Sequence, residues 1–260
     1  MNQDTTENSQ PLENEFQAKH WGFWATAGWA FLIFILWQIF QIIIIVIFIV
    51  SQYGGNDLGT KLAHYATSGT PAFTAIIIGN IISSLLVVGV IKIKRHSILK
   101  DYLALNLPSL KTTIYWVAAF LIFMVISDFI RSNLSQDVVP EVSVKMYYST
   151  DPILLAWIGI VLAAPIFEEI FFRGFLHKAF SKSYLKPIGA TFLISFLWAI
   201  IHLQYDLIDM TVIFAAGLLI GFSRTHSKSL YIPILLHMIN NLLSTIQIEY
   251  HQDIQAFMGL

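Results

Sequence analysis

The sequence predicts an all-α fold: a polytopic transmembrane helix bundle of about seven spans, within a range of six to eight, with a cytoplasmic N-terminus. Three observations predict it. The 260-residue chain is 56% hydrophobic and 12% charged, with a mean hydropathy of +0.68, whereas a soluble domain carries about 25% charged residues. Several apolar runs reach the roughly 20 residues that cross a bilayer. Lysine and arginine fall very unequally on the two sides that those runs would separate. The composition also excludes some functions. A net charge of −1 and the lack of a basic patch with interleaved aromatics give nucleic acid nothing to bind. The chain has no cysteine, so disulfides, thiolate catalysis and cysteine metal sites are ruled out.

Residues 1–20 are polar and acidic (Asp4, Glu7, Glu13, Glu15) and have neither the basic start nor the apolar core of a secretory signal. They are expected to form a flexible tail. The first apolar run extends from about Trp21 to Val50, with Trp21, Trp24 and Trp29 placed for an interfacial belt. Its Gln38 and Gln41 are read as hydrogen-bonding to neighbouring helices, the alternative being the lining of a polar cavity. A glycine-rich loop, Ser51 to Thr70, leads to span two, about Ala72 to Ile93, where Gly79 and Ser83 allow close helix contact. A basic connector (Lys92, Lys94, Arg95, Lys100, Lys111) precedes span three, about Thr112 to Ile130. Asp128 and Arg131 at its end are expected to form an interfacial ion pair. Residues Ser132 to Asp151 read as a polar loop.

Span four begins near Pro152, with Asp151 as its cap, and continues as a surface helix to Ser181. Span five is about Ile188 to Leu203. Span six, about Met210 to Phe222, is short and carries Gly217 and Gly221. Span seven is about Leu230 to Ile248. This divides one integral-membrane domain into a tail at 1–20, N-terminal membrane helices at 21–150 and a core at 151–250. With the N-terminus inside, eleven basic residues lie on the inner side (Lys19, the five of the connector, Lys178, Lys182, Lys186, Arg224, Lys228) and three on the outer (Lys61, Arg131, Lys145), Arg173 being set apart. That asymmetry places the Glu168 end of span four near the cytoplasm.

The candidate site starts from charges in apolar surroundings. Glu168, Glu169 and Arg173 stand in an otherwise lipid-compatible run, where each charge costs about 2.5–3.5 kcal/mol on insertion scales. Glu169 and Arg173 have the i,i+4 spacing of an intrahelical pair. Glu168 points about 100° away and is free to face a cavity. Pro165, just upstream, is expected to kink or loosen the helix. In span five His202 shares a face with Trp198 and Ser195, and in span seven His237, Asn241 and Ser244 form a polar stripe. Lipid solvates none of these groups, so they must converge or bond internally. At about 1.5 Å per residue, His237 lies roughly 10 Å and His202 roughly 20 Å from the cytoplasmic starts of their spans. Span five therefore starts outside the bilayer, tilts, or borders a deep cavity. A carboxylate and a histidine acting on water suit hydrolysis, with further donors for an oxyanion. Glu168, His202 and His237 could equally hold a divalent metal such as zinc. The spacing leaves both open.

Glu168-Glu169-x-x-x-Arg173, an aromatic four residues before His202, and His237-x-x-x-Asn241 together resemble the three motifs of the CPBP (Abi) intramembrane proteases, in that family's order, over about Leu154 to Ser244. The family includes CAAX-processing Ras-converting endopeptidases and bacteriocin-immunity proteins. The resemblance implies Glu168 as catalytic base, His202 as its partner on the water, His237 and Asn241 as oxyanion donors, and Glu169 and Arg173 as residues that orient the first motif. It implies a peptide or lipidated-protein substrate at the bilayer. The expected setting is a bacterial plasma membrane, as a single compact chain without targeting signals suggests, with the active site on the cytoplasmic side to which the basic residues point. Trp198 departs from the family's usual Phe and is expected to reshape the pocket without abolishing activity. Two other classes compete. One is a non-catalytic membrane scaffold or immunity protein; the other is a proton-coupled transporter, against which stands the lack of an internal repeat.

Overall fold

The structure, a computed structural model, describes residues 19–53, 58–65, 68–134 and 140–250. Among them every regular element is a helix. We number these α1 (Phe23–Tyr53), α2 (Leu58–Tyr65), α3 (Gly69–Ile93), α4 (Leu99–Leu103), α5 (Leu110–Asn133), α6 (Glu141–Tyr148), α7 (Leu154–Phe180), α8 (Lys186–Ile200), α9 (Leu207–Ser227) and α10 (Tyr231–Glu249). Five of them, α1, α3, α5, α7 and α9, are long and apolar enough to cross a membrane. The apolar α8 has 15 residues, and α10 has 19 but carries the polar stripe. The tail expected at 1–20 lies almost wholly outside the described residues.

The long helices expose apolar side chains outward, as a lipid-facing bundle requires. On α1, Ile33 and Ile49 are buried while Phe31, Ile39, Ile43 and Ile47 are exposed. This helix lies against α3, where the Trp37 indole donates to Asn80 Oδ1 (2.7 Å) and the Trp21 indole to Val90 O (3.1 Å). Gly79 admits this approach, since a Cβ there would stand 3.2 Å from Gln41 Cγ. Gln41 thus packs its stem on α3, and Gln38 is exposed.

Several sequence expectations need correction. The segments read as loops contain the short helices α2 and α6, and the basic connector contains α4. Helix α7 begins at Leu154, two residues after Pro152, and the buried His177, Ala179 and Phe180 show that its last turn is core, not surface. Helix α9 runs from Leu207 to Ser227, much longer than expected, with Asp206 as its N-cap accepting from Asp209 N (2.8 Å). The charges that seemed to limit it are accommodated. Asp209 pairs with Arg131 (2.6 Å), and Arg224 Nε donates to Arg173 O (3.1 Å). The ion pair of Arg131 therefore crosses to α9, and Asp128 instead accepts from Gln247 Nε2 (2.9 Å).

Helix α7 carries the site and is irregular. Its central α-helical turns, Ala164–Glu169, lie between two π-helical stretches, Ile158–Ala163 and Ile170–Leu176. Pro165 has no N–H to give to the preceding turn, and a widened turn is one way a helix absorbs such a break. The expected loosening is present, as π turns. Helix α6 is tied to the end of α10: the Tyr147 hydroxyl donates to Glu249 and accepts from the Trp157 indole (2.9 Å). Burial first, and then Glu249, push the Tyr147 hydroxyl up to about 12. The N-terminus of α3 meets the same corner at Gly69, where any Cβ would collide with Thr150 and the Met146 carbonyl.

Candidate active site

The three motif helices bring their polar residues together. Glu169 is fully buried, and its Oε1 accepts both from Arg173 Nη1 (3.0 Å) and from His237 Nδ1 (2.9 Å). One carboxylate oxygen thereby ties the arginine of its own helix to the histidine of α10. Arg173, also fully buried, donates through Nη2 to Gly217 O on α9 (3.2 Å) and stacks over the Trp198 ring at 4.6 Å. A buried arginine so placed is held by a counter-charge, a carbonyl and an aromatic face, the compensation that burial of a charge demands.

Glu168 points elsewhere, as the 100° offset requires. It is 7% exposed, and its Oε2 accepts from the Trp198 indole at 2.6 Å. His237 Nε2 lies 4.0 Å from that same oxygen, a separation that a water can bridge. Because Glu169 holds Nδ1, the free Nε2 of His237 is aimed at Glu168. Fixing one ring nitrogen to orient the other is the usual role of a carboxylate behind a working histidine.

His202 lies beyond the end of α8, in the turn that follows Ile200, and not within a span as expected. Its Nδ1 is 2.8 Å from Trp198 O. A carbonyl only accepts, so Nδ1 carries a proton, and in the neutral ring Nε2 keeps the lone pair. The Trp198 ring lies edge-on to both histidines, with centroids 5.3 Å from His202 and 5.1 Å from His237. On α10, Asn241 Nδ2 donates to Ile160 O in the first π stretch of α7 (2.8 Å) and its Oδ1 accepts from Asn240 (3.1 Å). An amide has two N–H groups, so one remains beyond the bond to Ile160.

These residues border one cavity of about 360 Å³, which Glu168, Trp198, His202, His237, Asn241 and Ser244 all line. The polar stripe of α10 therefore faces the cavity, and His202 and His237 border it together. Glu169 and Arg173 do not line it and act from behind. Among the described residues no three His, Asp or Glu side chains are close enough to hold a metal ion. As arranged, Glu168, His202 and His237 do not fit a zinc site, and no step below passes through a metal.

Sequence reasoning missed the bond from Trp198 to Glu168, the link from Glu169 to His237, and the backbone acceptors Gly217 O and Ile160 O. The Trp-for-Phe departure was the visible signal of the first. The others join residues 68, 44 and 81 apart in sequence.

Residues 150–243 match the family described as type II CAAX prenyl endopeptidase Rce1-like. The match begins four residues before the first motif helix and ends one residue before Ser244, and the three-motif resemblance to the CPBP proteases is borne out. The chain is also 34% identical, over 92 residues, to an uncharacterized 24.3 kDa protein of Escherichia coli. That alignment covers 35% of this chain and 42% of the relative, so the chain spans under half the length of the curated relative it matches. No solved structure matches. The matched stretch is thus similar to a family of CAAX prenyl endopeptidases, and it lies in a bundle with five helices long and apolar enough to cross a membrane.

Proposed function

We propose that this protein is an intramembrane endopeptidase in which Glu168 and His202 activate a water against a peptide bond. The observation that carries the reading is the position of Glu168, buried at the cavity wall with Trp198 at 2.6 Å and His237 Nε2 across from it at 4.0 Å. A carboxylate placed so is a proton acceptor for a water held between it and an imidazole. The lone pair on His202 Nε2 gives the water a second acceptor. As the water attacks, charge develops on the carbonyl oxygen, and His237 Nε2, once protonated, and the second N–H of Asn241 are the donors for it. Glu169 and Arg173 keep His237 aimed. The substrate is a membrane-associated protein, of prenylated CAAX type or unmodified, or a peptide, and the setting is a bacterial plasma membrane. The residue ranges 21–150 and 151–250 then divide a supporting membrane part from the protease core.

The test is cleavage of a quenched fluorescent peptide library by the purified, detergent-solubilised protein beside Glu168→Ala, each with and without a zinc chelator. Cleavage lost in the variant and kept with chelator supports the reading. Loss with chelator assigns Glu168, His202 and His237 to a metal instead. Equal cleavage by Glu168→Ala refutes the role of Glu168. A Glu168→Gln chain that keeps its effect in cells, with no cleavage by either form, returns the protein to the scaffold class.

A further inference from the structure

Arg224 is buried like Arg173 but lacks a counter-charge. It is 7% exposed in the last turn of α9, and its Nε donates to Arg173 O at 3.1 Å. Among the described residues no carboxylate pairs with it, and neither of its Nη groups has a hydrogen-bond partner. Neither Nη is among the wholly enclosed side-chain atoms without a partner, so both reach the surface. An arginine is rarely buried unless a counter-charge or acceptors replace its water. Carbonyls near a helix C-terminus favour basic side chains, yet Arg173 O engages Nε alone. The neighbours add charge instead of cancelling it. Lys178, half-buried in the last turn of α7, is repelled by Lys182 and Arg224. Its Nζ donates to the backbone carbonyl of Asp101 (2.9 Å), whose carboxylate attracts it without closing to an ion pair. Over residues 92–111, 177–186 and 222–230 the sequence has ten lysines and arginines and one carboxylate, Asp101.

We infer that Arg224, Lys178 and Lys182 form a binding site for a phosphate group, carried by an anionic phospholipid at this end of the bundle. The two Nη groups of Arg224 present a planar fork that matches two oxygens of a phosphate. Lys178 keeps two N–H groups beyond its bond to Asp101 O, and the exposed Lys182 adds a third charge. Three cations against one carboxylate favour an anionic headgroup over a zwitterionic one. The surroundings favour a lipid over a free anion. Helices α7 and α9 are both long and apolar enough to cross a membrane, and the three residues lie in or just past their last turns, where basic pockets between spanning helices hold headgroups. One turn beyond Arg224, Lys228 O accepts from Asn106 Nδ2 (3.2 Å), and beside Asn106 the side chains of Leu107 and Leu110 are 87% and 75% exposed. They offer an acyl chain an apolar surface next to the charges. None of the three basic residues lines the cavity beside Glu168. The inference therefore stands apart from the peptidase reading, and it does not depend on which side of the membrane this end faces.

The test is native mass spectrometry of the delipidated protein in detergent, titrated with phosphatidylglycerol or with phosphatidylcholine of the same acyl chains. A calorimetric titration with inorganic phosphate runs beside it. The native chain is expected to bind one phosphatidylglycerol about tenfold more tightly than phosphatidylcholine. Lys178→Gln/Lys182→Gln removes two of the three charges and should weaken phosphatidylglycerol about tenfold or more. Lys19→Gln/Lys92→Gln removes as much charge near the turn after α3 and should leave the affinity within about twofold. Arg224→Gln should abolish the preference between the lipids, and the lysine pair carries the test if that variant fails to fold. Equal affinity of the native chain for the two lipids overturns the lipid assignment, in favour of a free anion if inorganic phosphate binds and Lys178→Gln/Lys182→Gln abolishes that binding. Equal weakening by both lysine pairs overturns the site and leaves only a diffuse basic surface. No arm measures cleavage, so this result and the library assay fail separately.

Discussion

Trp198→Phe isolates one hydrogen bond at the heart of the site. The substitution keeps an aromatic ring between His202 and His237 and retains most of the face on which Arg173 stacks, but it removes the N–H that Glu168 Oε2 accepts at 2.6 Å. Among the described residues that is the one side-chain hydrogen bond to Glu168, since His237 Nε2 stands off at 4.0 Å. Hydrogen bonds to charged groups contribute about 1.5–3 kcal/mol. If all of that serves to hold the carboxylate where it meets water, the rate falls about ten- to hundredfold. The indole is 3% exposed, and its loss as volume is partial, so the fold persists. The assay is kcat and KM on a cleaved library peptide, with thermal unfolding in the same detergent. The expected outcome is a loss in kcat with KM nearly unchanged. Activity within twofold of the parent would refute the reasoning, as would a loss matched by a collapse in unfolding temperature.

Other perturbations read other parts of the account. Arg173→Ala leaves Glu169 as an uncompensated buried charge, so thermal unfolding should reveal a destabilisation of about 3–5 kcal/mol. Gly217→Ala puts a methyl 3.0 Å from the Trp198 ring and 3.3 Å from Arg173 Nη2; crowding of this kind costs about 1–3 kcal/mol and should lower kcat, whereas Gly89→Ala, with nothing within 4 Å of its added methyl, should be neutral. Tyr147→Phe removes the hydroxyl that bonds Trp157 and Glu249, and unfolding measurements should detect a loss of about 0.5–1.5 kcal/mol with the helices retained by circular dichroism.

Much of this was legible in the sequence because lipid makes polar residues conspicuous. Glu168, Glu169, Arg173, His237 and Asn241 stood out as charges and amides in apolar runs, and all lie where the motif helices meet. Span boundaries were less legible, for a physical reason. Asp209 and Arg224 looked like span ends because hydropathy counts a charge without its partner, yet each has one within the bundle. His202 was read into a helix that ends before it, since a turn and a helix end share the same composition. The short helices α2, α4 and α6 have 8, 5 and 8 residues and too few turns to set up a periodic pattern.

The central claim is that Glu168 directs a water onto a peptide bond. Its most direct test is cleavage of a library peptide in water enriched in heavy oxygen, followed by mass spectrometry of the products, with Glu168→Gln alongside. The account predicts one heavy oxygen in the new C-terminal carboxylate with the native protein, and no product with a Glu168→Gln chain that unfolds at the native temperature. Product formed by that variant at the native rate, or product without the heavy oxygen, would contradict it.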